Sequence, residues 1–291
     1  MNYIELVKAE SIVMDQFSEF VFCKKVISDF VKEYLKGDIS ALADFDFALL
    51  QDDIRFGCNG RHFDCDDTNL ARAIYYMLWG DIFPDISLSD IGSGKKYRGD
   101  TLNTFNTVFG AYNLEKQTCI GIEKSNSPKD VCRLVNIFHA NYHSIGNFIL
   151  LPNIAETDRK RAYTFNTYRG VAYKDYFDLF LQQLDECLIF DKRDSHMLTL
   201  IARNEFFFSW LKTKGGLKYL NKVCWLQDYF NGNSPQNVFL PHIYCSRKKR
   251  EWTCFEKAYY IEHVEQYIIK ATTIIKNRAN KMLEKLAVSC N

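Results

Sequence analysis

The chain has 291 residues, of which 47% are hydrophobic and 25% charged, and its formal net charge is +1. These values are ordinary for a packed globular protein. The near-neutral net charge argues against binding of nucleic acid through the charge of the whole molecule, but it allows a local basic patch. With only 5 Pro and 14 Gly, helix breakers are scarce, which favours a mainly α fold.

The sequence gives no sign of a membrane protein or of a secreted one. No run of about 18 uncharged apolar residues occurs, so no transmembrane helix is expected. The first residues, Met1 to Glu5, lack the basic start and apolar run of a signal peptide. We therefore expect a cytoplasmic protein with no membrane partner, whose 10 cysteines stay reduced.

The hydrophobic spacing divides the chain into three parts of one domain, 1–291. In the helical N-terminal part, 1–50, apolar residues recur at helical spacing over 3–36, Gly37 is a plausible C-cap, and 38–51 form a short helix. The irregular polar middle, 51–172, begins with a loop over 52–68. Thr68 then caps a helix over 69–78, a strand is expected at Thr118–Ile122, a helix at 129–139, and an apolar run at Phe148–Leu151.

The helical C-terminal part, 173–291, is expected to contain helices at 173–190, 196–213, 215–230 and 255–288, with a loop at 231–254. The predicted fold is therefore mainly α, a helical globule around a more irregular middle that has room for a small β-sheet. The sequence indicates neither a cofactor nor an oligomeric state.

Two polar segments of the middle part are the first candidates for a site. Residues 97–107 contain Arg98, Asp100, Asn103 and Asn106, whose donors and acceptors suit a polar ligand. Arg98 could bind a phosphate or a carboxylate through its guanidinium fork. The structural alternative is a turn whose side chains hydrogen-bond the backbone.

The second segment, 139–153, contains His143 and Asn147. His143-x-x-Gly146-Asn147 with the following apolar run resembles the Gly-Asn-Leu-x-Leu-Leu part of HNH-type nucleases, although their Glu-His-x-x-Pro element is absent. His143 would move a proton, and Asp100 would orient that histidine or hold a metal. In the structural alternative Asn147 bonds backbone groups inside a buried turn.

Several segments between residues 55 and 230 resemble an uncharacterised bacterial family. They are the stretch Asp64 to Trp79, the segment Arg98 to Phe105, Asn166-Thr167-Tyr168-Arg169-Gly170, Asp175 to Leu179, and Leu226-Gln227-Asp228. The chain departs from the family at Tyr76, where the family has His. The resemblance implies no activity. Arg169, which lies next to Gly170 and after Asn166, could present its guanidinium to an anion, and the resemblance strengthens this candidate. The structural alternative is an ion pair to Asp175 or Asp178.

Weaker signals remain open. Cys58, His62 and Cys65 have a spacing that zinc could use with a distant fourth ligand, and Asp64, Asp66 and Asp67 could hold magnesium. Arg133 and His139 resemble the motif of HEPN-type ribonucleases. The basic run Arg247-Lys248-Lys249-Arg250 could touch phosphates. Incidental cysteines, a chance pairing of helical Arg and His, and a solvated loop or surface are the favoured explanations of these patterns.

Two functions remain as hypotheses. In the first, the protein handles a phosphate-bearing ligand, a nucleotide or nucleic acid, as a hydrolase or nuclease in bacterial antiviral defence. His143, Asp100 and Asn147 would then be catalytic, and Arg98, Asn103, Asn106 and Arg169 would bind the ligand, with no metal assigned. In the alternative, the chain is a non-catalytic ligand-binding or protein-interaction module. Convergence of these residues on one site would favour the first hypothesis.

Overall fold

The computed structural model describes residues 3–58, 63–104, 128–153, 176–189, 195–246, 251–254 and 261–290. Within these ranges 63% of the residues are helical, in eight α-helices, and the strands form only two-stranded sheets. The expected mainly α fold with a small sheet in its middle part is confirmed.

The helices and strands alternate with short 3-10 turns along the chain. The helices are α1 (Tyr3–Tyr34), α2 (Asn69–Trp79), α3 (Pro128–Tyr142), α4 (Phe177–Ile189), α5 (Ser195–Arg203), α6 (Glu205–Thr213), α7 (Leu217–Val223) and α8 (Ile261–Cys290). The strands are β1 (Tyr97–Thr101), β2 (Phe148–Pro152), β3 (Phe230–Asn231), β4 (Ser234–Pro235), β5 (Ile243–Ser246) and β6 (Glu251–Cys254). The strands form three antiparallel pairs, β1 with β2, β3 with β4 and β5 with β6.

The helix ends that the sequence predicted most clearly are confirmed. Gly37 has a φ of +89°, and its N–H donates to the carbonyl of Val31 at 2.9 Å, which closes the end of α1. The hydroxyl of Thr68 accepts from the N–H of Ala71 at 3.2 Å, so Thr68 is the N-cap of α2. Both caps satisfy backbone groups that a helix end would otherwise leave unpaired.

Other boundaries differ from the prediction. Residues 38–51 form two 3-10 turns, Ile39–Ala43 and Phe47–Leu50, rather than one helix. The helix expected at 196–213 is broken at Asn204, whose side chain donates to the carbonyl of Leu200 at 3.0 Å.

Further along, the helix expected at 215–230 covers only Leu217–Val223. The expected loop over 231–254 is wrong, because it contains the hairpin β5–β6. Isoleucine, tyrosine, tryptophan and threonine in that hairpin are typical strand residues, but the basic run between them hid the pattern. The expected strand at Thr118–Ile122 lies outside the described residues.

Helix α8 lies across the middle of the molecule and holds the sheet β1–β2 in place. It packs against α2, α3 and the turn Ile145–Asn147 that leads into β2. Arg278 of α8 is 1% exposed, and its guanidinium donates to the carbonyls of Cys224, Gly146 and Phe148 at 2.6–2.9 Å. Along the described ranges, none of the helices has the length and apolar character needed to cross a membrane.

Candidate functional site

The sheet β1–β2 brings the two predicted polar segments together. Arg98 and Asp100 lie on β1, and Asn103 follows two residues after its end. Asn147 directly precedes β2, and its carbonyl accepts from the N–H of Leu102 at 2.8 Å. His143 comes at the end of α3, one turn before Asn147. The predicted ligand-binding residues Asn106 and Arg169 lie outside the described residues.

Asn147 is a buried brace between the two segments. Its Oδ1 accepts from the backbone and side-chain nitrogens of Asn103 at 2.9 and 3.1 Å. Its Nδ2 donates to the carbonyls of Asn103 and Tyr142, both at 2.8 Å. The Oδ1 of Asn103 in turn accepts from the hydroxyl of Tyr229 at 3.0 Å. Because a side-chain amide offers two donors and two acceptor positions, those of Asn147 are all occupied within the protein.

Arg98 reaches the acidic loop that precedes α2. Its Nη2 donates to Oδ2 of Asp64 at 2.6 Å, and both side chains are about one-third exposed or less (27% and 37%). Asp66 lies beneath this pair and is 6% exposed. The sequence had suggested these aspartates only as ligands for a hard cation, and the structure instead pairs the loop with a predicted anion-binding arginine.

The carboxyl groups of Asp64 and Asp66 have pKa values shifted in opposite directions. Burial raises the pKa of Asp66 well above its usual range, and the nearby Asp64 and Asp100 raise it further. Burial would also raise the pKa of Asp64, but hydrogen bonds from Asp66 and Arg98 outweigh it and hold that pKa below its usual value. The environment therefore favours the neutral form of Asp66 and the ionised form of Asp64.

Close backbone packing fixes the position of this loop. The hydroxyl of Tyr75 on α2 donates to the carbonyl of Asp66 at 3.0 Å. Gly99 lies against the same carbonyl and against the Tyr75 ring, so closely that a Cβ at this position would overlap both. Only glycine lets β1 approach the loop to this distance, and the approach sets Arg98 beside Asp64.

Four buried polar atoms near this loop have no hydrogen-bond partner in the part of the chain that the structure describes. They are Oδ1 of Asp66, Oδ1 of Asp67, Nε of Arg72 and Nε of Arg98. Native proteins leave few such atoms, so a group of them marks a place where a ligand or an ordered water completes the network. We call Asp64, Asp66, Asp67, Arg72 and Arg98 the loop–strand site.

Asp100 lies on the inner side of the same site. It is 5% exposed, and its Oδ1 accepts from the N–H of Thr101 at 2.8 Å. The hydroxyl of Tyr142 hydrogen-bonds the side chains of Thr101 and Thr104, and burial raises its pKa to about 12. Tyr142 therefore links β1 to the end of α3, where His143 follows.

The carboxylate beside His143 is Asp46 rather than Asp100. Nδ1 of His143 lies 3.7 Å from Oδ1 of Asp46, longer than a hydrogen bond, and both side chains are about one-quarter exposed. Burial raises the pKa of Asp46, but His143 and the N–H of Ala48 lower it to a net value below its usual range. Burial lowers the pKa of His139, one turn before His143 on α3, and His143 adds to that effect.

The structure gives little support to the metal sites and the ribonuclease motif that the sequence suggested. Among the described residues, no group of three or more His, Cys, Asp or Glu side chains is placed to hold a metal ion. Burial raises the pKa of Cys58 and brings that of Cys65 to about 12, so both thiols hold their protons more firmly than usual. Arg133 is exposed. His62 and the basic run 247–250 lie outside the described residues.

Sequence reasoning missed three contributors to the site. Arg72 and Tyr75 lie within the α2 stretch that resembles the bacterial family, and that resemblance is the signal that could have singled them out. Asp46 has no such signal, because its local pattern shows only the N-cap of a short turn, where its Oδ1 accepts from the N–H of Ala48 at 2.9 Å. Its proximity to His143 arises only in the folded chain.

Comparison of the chain with protein-family models, with curated proteins and with solved structures found no match. The resemblances described from the sequence therefore stay expectations, and the geometry of the site carries the functional argument.

Proposed function

We propose that the chain binds a phosphate-bearing ligand, a nucleotide or a nucleic-acid strand, at the loop–strand site. The supporting observation is the group of buried polar atoms without a protein partner, because it contains both donors and acceptors. The arginine Nε groups would donate to phosphate oxygens, and the carboxyl oxygens would accept from ribose hydroxyls or base amino groups.

The charge of the site is compatible with this ligand. The raised pKa of Asp66 favours its neutral form, and the carboxylate of Asp64 is paired with the guanidinium of Arg98 at 2.6 Å. Only one described hydrogen bond, to Asp64, engages Arg98. A phosphate could therefore take up the remaining donors of Arg98 without displacing a second protein partner.

The test is binding of ATP and of short single-stranded DNA and RNA, measured by thermal shift and calorimetry. We expect stabilisation of the wild type that grows with ligand concentration, about 2.7 kcal/mol at 100 times Kd. Arg98→Gln should weaken the affinity about tenfold or more, because it removes a charge-assisted contact. Arg55→Gln is the matched control, since Arg55 forms an exposed ion pair with Asp29 and Glu33 elsewhere on the surface.

The proposal is wrong if none of these ligands stabilises the wild type, or if Arg55→Gln weakens binding as much as Arg98→Gln does. The first result would leave ordered water as the group that completes the buried network, and the chain as a non-catalytic module of another kind.

Hydrolysis by the same protein is a second proposal, supported by the His143–Asp46 pair. Asp46 lies 3.7 Å from Nδ1 of His143, so shortening to a hydrogen bond on ligand binding would orient the imidazole with Nε2 as the acceptor of a proton from water. Phosphate release should fall about 100-fold or more in His143→Gln. Unchanged release in that variant would exclude His143 as the base. The nuclease role in bacterial defence rests on the sequence resemblance alone.

A further inference from the structure

A cavity lies between α8 and the stretch of chain that follows α7. Its volume is about 400 Å³, within the range of roughly 300 to 1,000 Å³ that small-molecule sites occupy. Asp228 and Val238 line it from one side, and Ile269, Lys270 and Ile274 of α8 line it from the other. None of its lining residues belongs to the loop–strand site, so the cavity is a separate place where a ligand can bind.

The side of the cavity that Val238 contributes is held in place from the core. The N–H groups of Val238 and Phe239 donate to Oδ2 of Asp178 at 2.8 and 3.1 Å, and Asp178 is fully buried. Across the cavity, Nζ of Lys270 donates to the carbonyl of Val238 at 2.9 Å. Because these bonds fix both sides before a ligand arrives, a ligand that binds here has little of the chain left to order.

The cavity carries two opposite charges that do not neutralise each other. Asp228 and Lys270 form no ion pair, and within the described ranges the carboxyl of Asp228 has no hydrogen-bond partner either, since the amide of Gln236 bonds only its backbone carbonyl. The ammonium of Lys270 has three donors and uses one of them for Val238. Ile274, which is 4% exposed, and Ile269, which is 55% exposed, add apolar surface beside Lys270.

We propose that this cavity binds a small zwitterion with an apolar side chain, the chemistry of a free branched-chain α-amino acid. The carboxylate of Asp228 accepts from the ammonium of the ligand, and Nζ of Lys270 donates to its carboxylate. Ile269 and Ile274 contact its apolar side chain. A phosphate would meet the carboxylate of Asp228 and a simple cation the ammonium of Lys270, whereas a zwitterion pairs with both. This inference is independent of the ligand proposed for the loop–strand site.

The experiment is calorimetric titration of the full chain with L-leucine, N-acetyl-L-leucine and L-leucinamide. We expect saturable binding of leucine and an affinity about tenfold lower for each derivative, because N-acetyl-leucine lacks the ammonium and leucinamide lacks the carboxylate. Asp228→Asn should remove the preference for leucine over N-acetyl-leucine, and Lys270→Gln should remove the preference over leucinamide. Each substitution thus identifies the ligand charge that its residue binds.

Lys276→Gln is the matched control, since Lys276 is an exposed residue of the same helix that does not line the cavity. It should bind leucine as the wild type does, and so should Arg98→Gln, which separates this cavity from the loop–strand site. Absence of saturable leucine binding to the wild type overturns the proposal, as do equal affinities for the three ligands. Loss of affinity in Lys276→Gln as large as in Lys270→Gln overturns it as well, because the charge of Lys270 would then have no specific part in binding.

Discussion

Asp66 is the residue through which pH acts most directly on this fold. Its carboxyl is buried beneath the Arg98–Asp64 pair, and burial with the neighbouring Asp64 and Asp100 raises its pKa well above 3.8. The folded protein therefore keeps a proton that the unfolded chain loses at about pH 4. Because the folded state binds more protons above that pH, the free energy of unfolding falls as pH rises towards the folded-state pKa.

Replacing Asp66 by Asn should remove this loss of stability. The amide is close in size to the protonated carboxyl and cannot ionise. We expect Asp66→Asn to gain stability relative to the wild type as pH rises from about 4 to neutrality, measured by urea unfolding at several pH values. Asp64 acts in the opposite direction and in another window, because its lowered pKa makes its contribution disappear only as pH falls below about 4.

Asp85→Asn is the control for this experiment, since Asp85 is 85% exposed and forms only a 4.0 Å ion pair with Lys96. Its stability should follow the wild type at every pH. A constant difference between Asp66→Asn and the wild type from pH 4 to neutrality would contradict the raised pKa of Asp66.

The sequence predicted part of the site, and the residues it missed have a common physical reason. Arg98 and Asp100 stood out because polar side chains are dense along residues 97–107. Asp46 lies almost a hundred residues from His143 in the sequence, and neither segment has a pattern that indicates their proximity. Local pattern shows which side chains are polar, whereas the pairing of distant residues depends on how the elements pack.

At the level of the elements, prediction succeeded where hydrophobic period and cap agreed. Helix α2 combines a helical period with the Thr68 cap, and its start is at the predicted residue. The 196–213 segment has the same period, but Asn204 offers its side chain to the preceding turn and divides it into α5 and α6. The pairing of β5 with β6 was missed because the basic run at 247–250 outweighed the strand residues before and after it in the sequence.

Gly146 allows α8 to pack directly on the turn that leads into β2. A Cβ there would overlap the carbonyl of Ile275 and lie 2.9 Å from the backbone nitrogen of Ala279, and helix backbone cannot give way. We expect Gly146→Ala to lose about 2 kcal/mol or more, the range of overpacked sites, in urea unfolding.

Gly94→Asn serves as the comparison for Gly146→Ala. Gly94 has open space around it and a φ of +71°, which Asn tolerates. This variant should lose less than about 1 kcal/mol, since only the backbone preference of glycine is given up. Equal losses in the two variants would show that close packing on α8 is not what Gly146 provides.

At the level of the whole molecule, one apolar cluster extends through the described chain. It includes Cys23 of α1, Trp79 of α2, Phe148 of β2 and Leu286 of α8. The single domain expected from the sequence stays a prediction, but a shared core is what such a domain requires.

A shared core should make unfolding cooperative. Tryptophan fluorescence reports on all four tryptophans of the chain, Trp79, Trp210, Trp225 and Trp252. We expect it to change at the same urea concentration as far-ultraviolet circular dichroism, which reports on all helices. Midpoints that differ beyond experimental error would divide the chain into separately folding units.

The hydrogen bonds of Arg278 have a consequence for folding during translation. Its three acceptors belong to residues 54 to 132 positions earlier in the sequence. During translation the N-terminal elements emerge first, but the carbonyls of Gly146, Phe148 and Cys224 have no Arg278 to bind until α8 has left the ribosome. Nascent chains that stop short of residue 278 therefore leave these three carbonyls without the guanidinium that binds them in the folded protein.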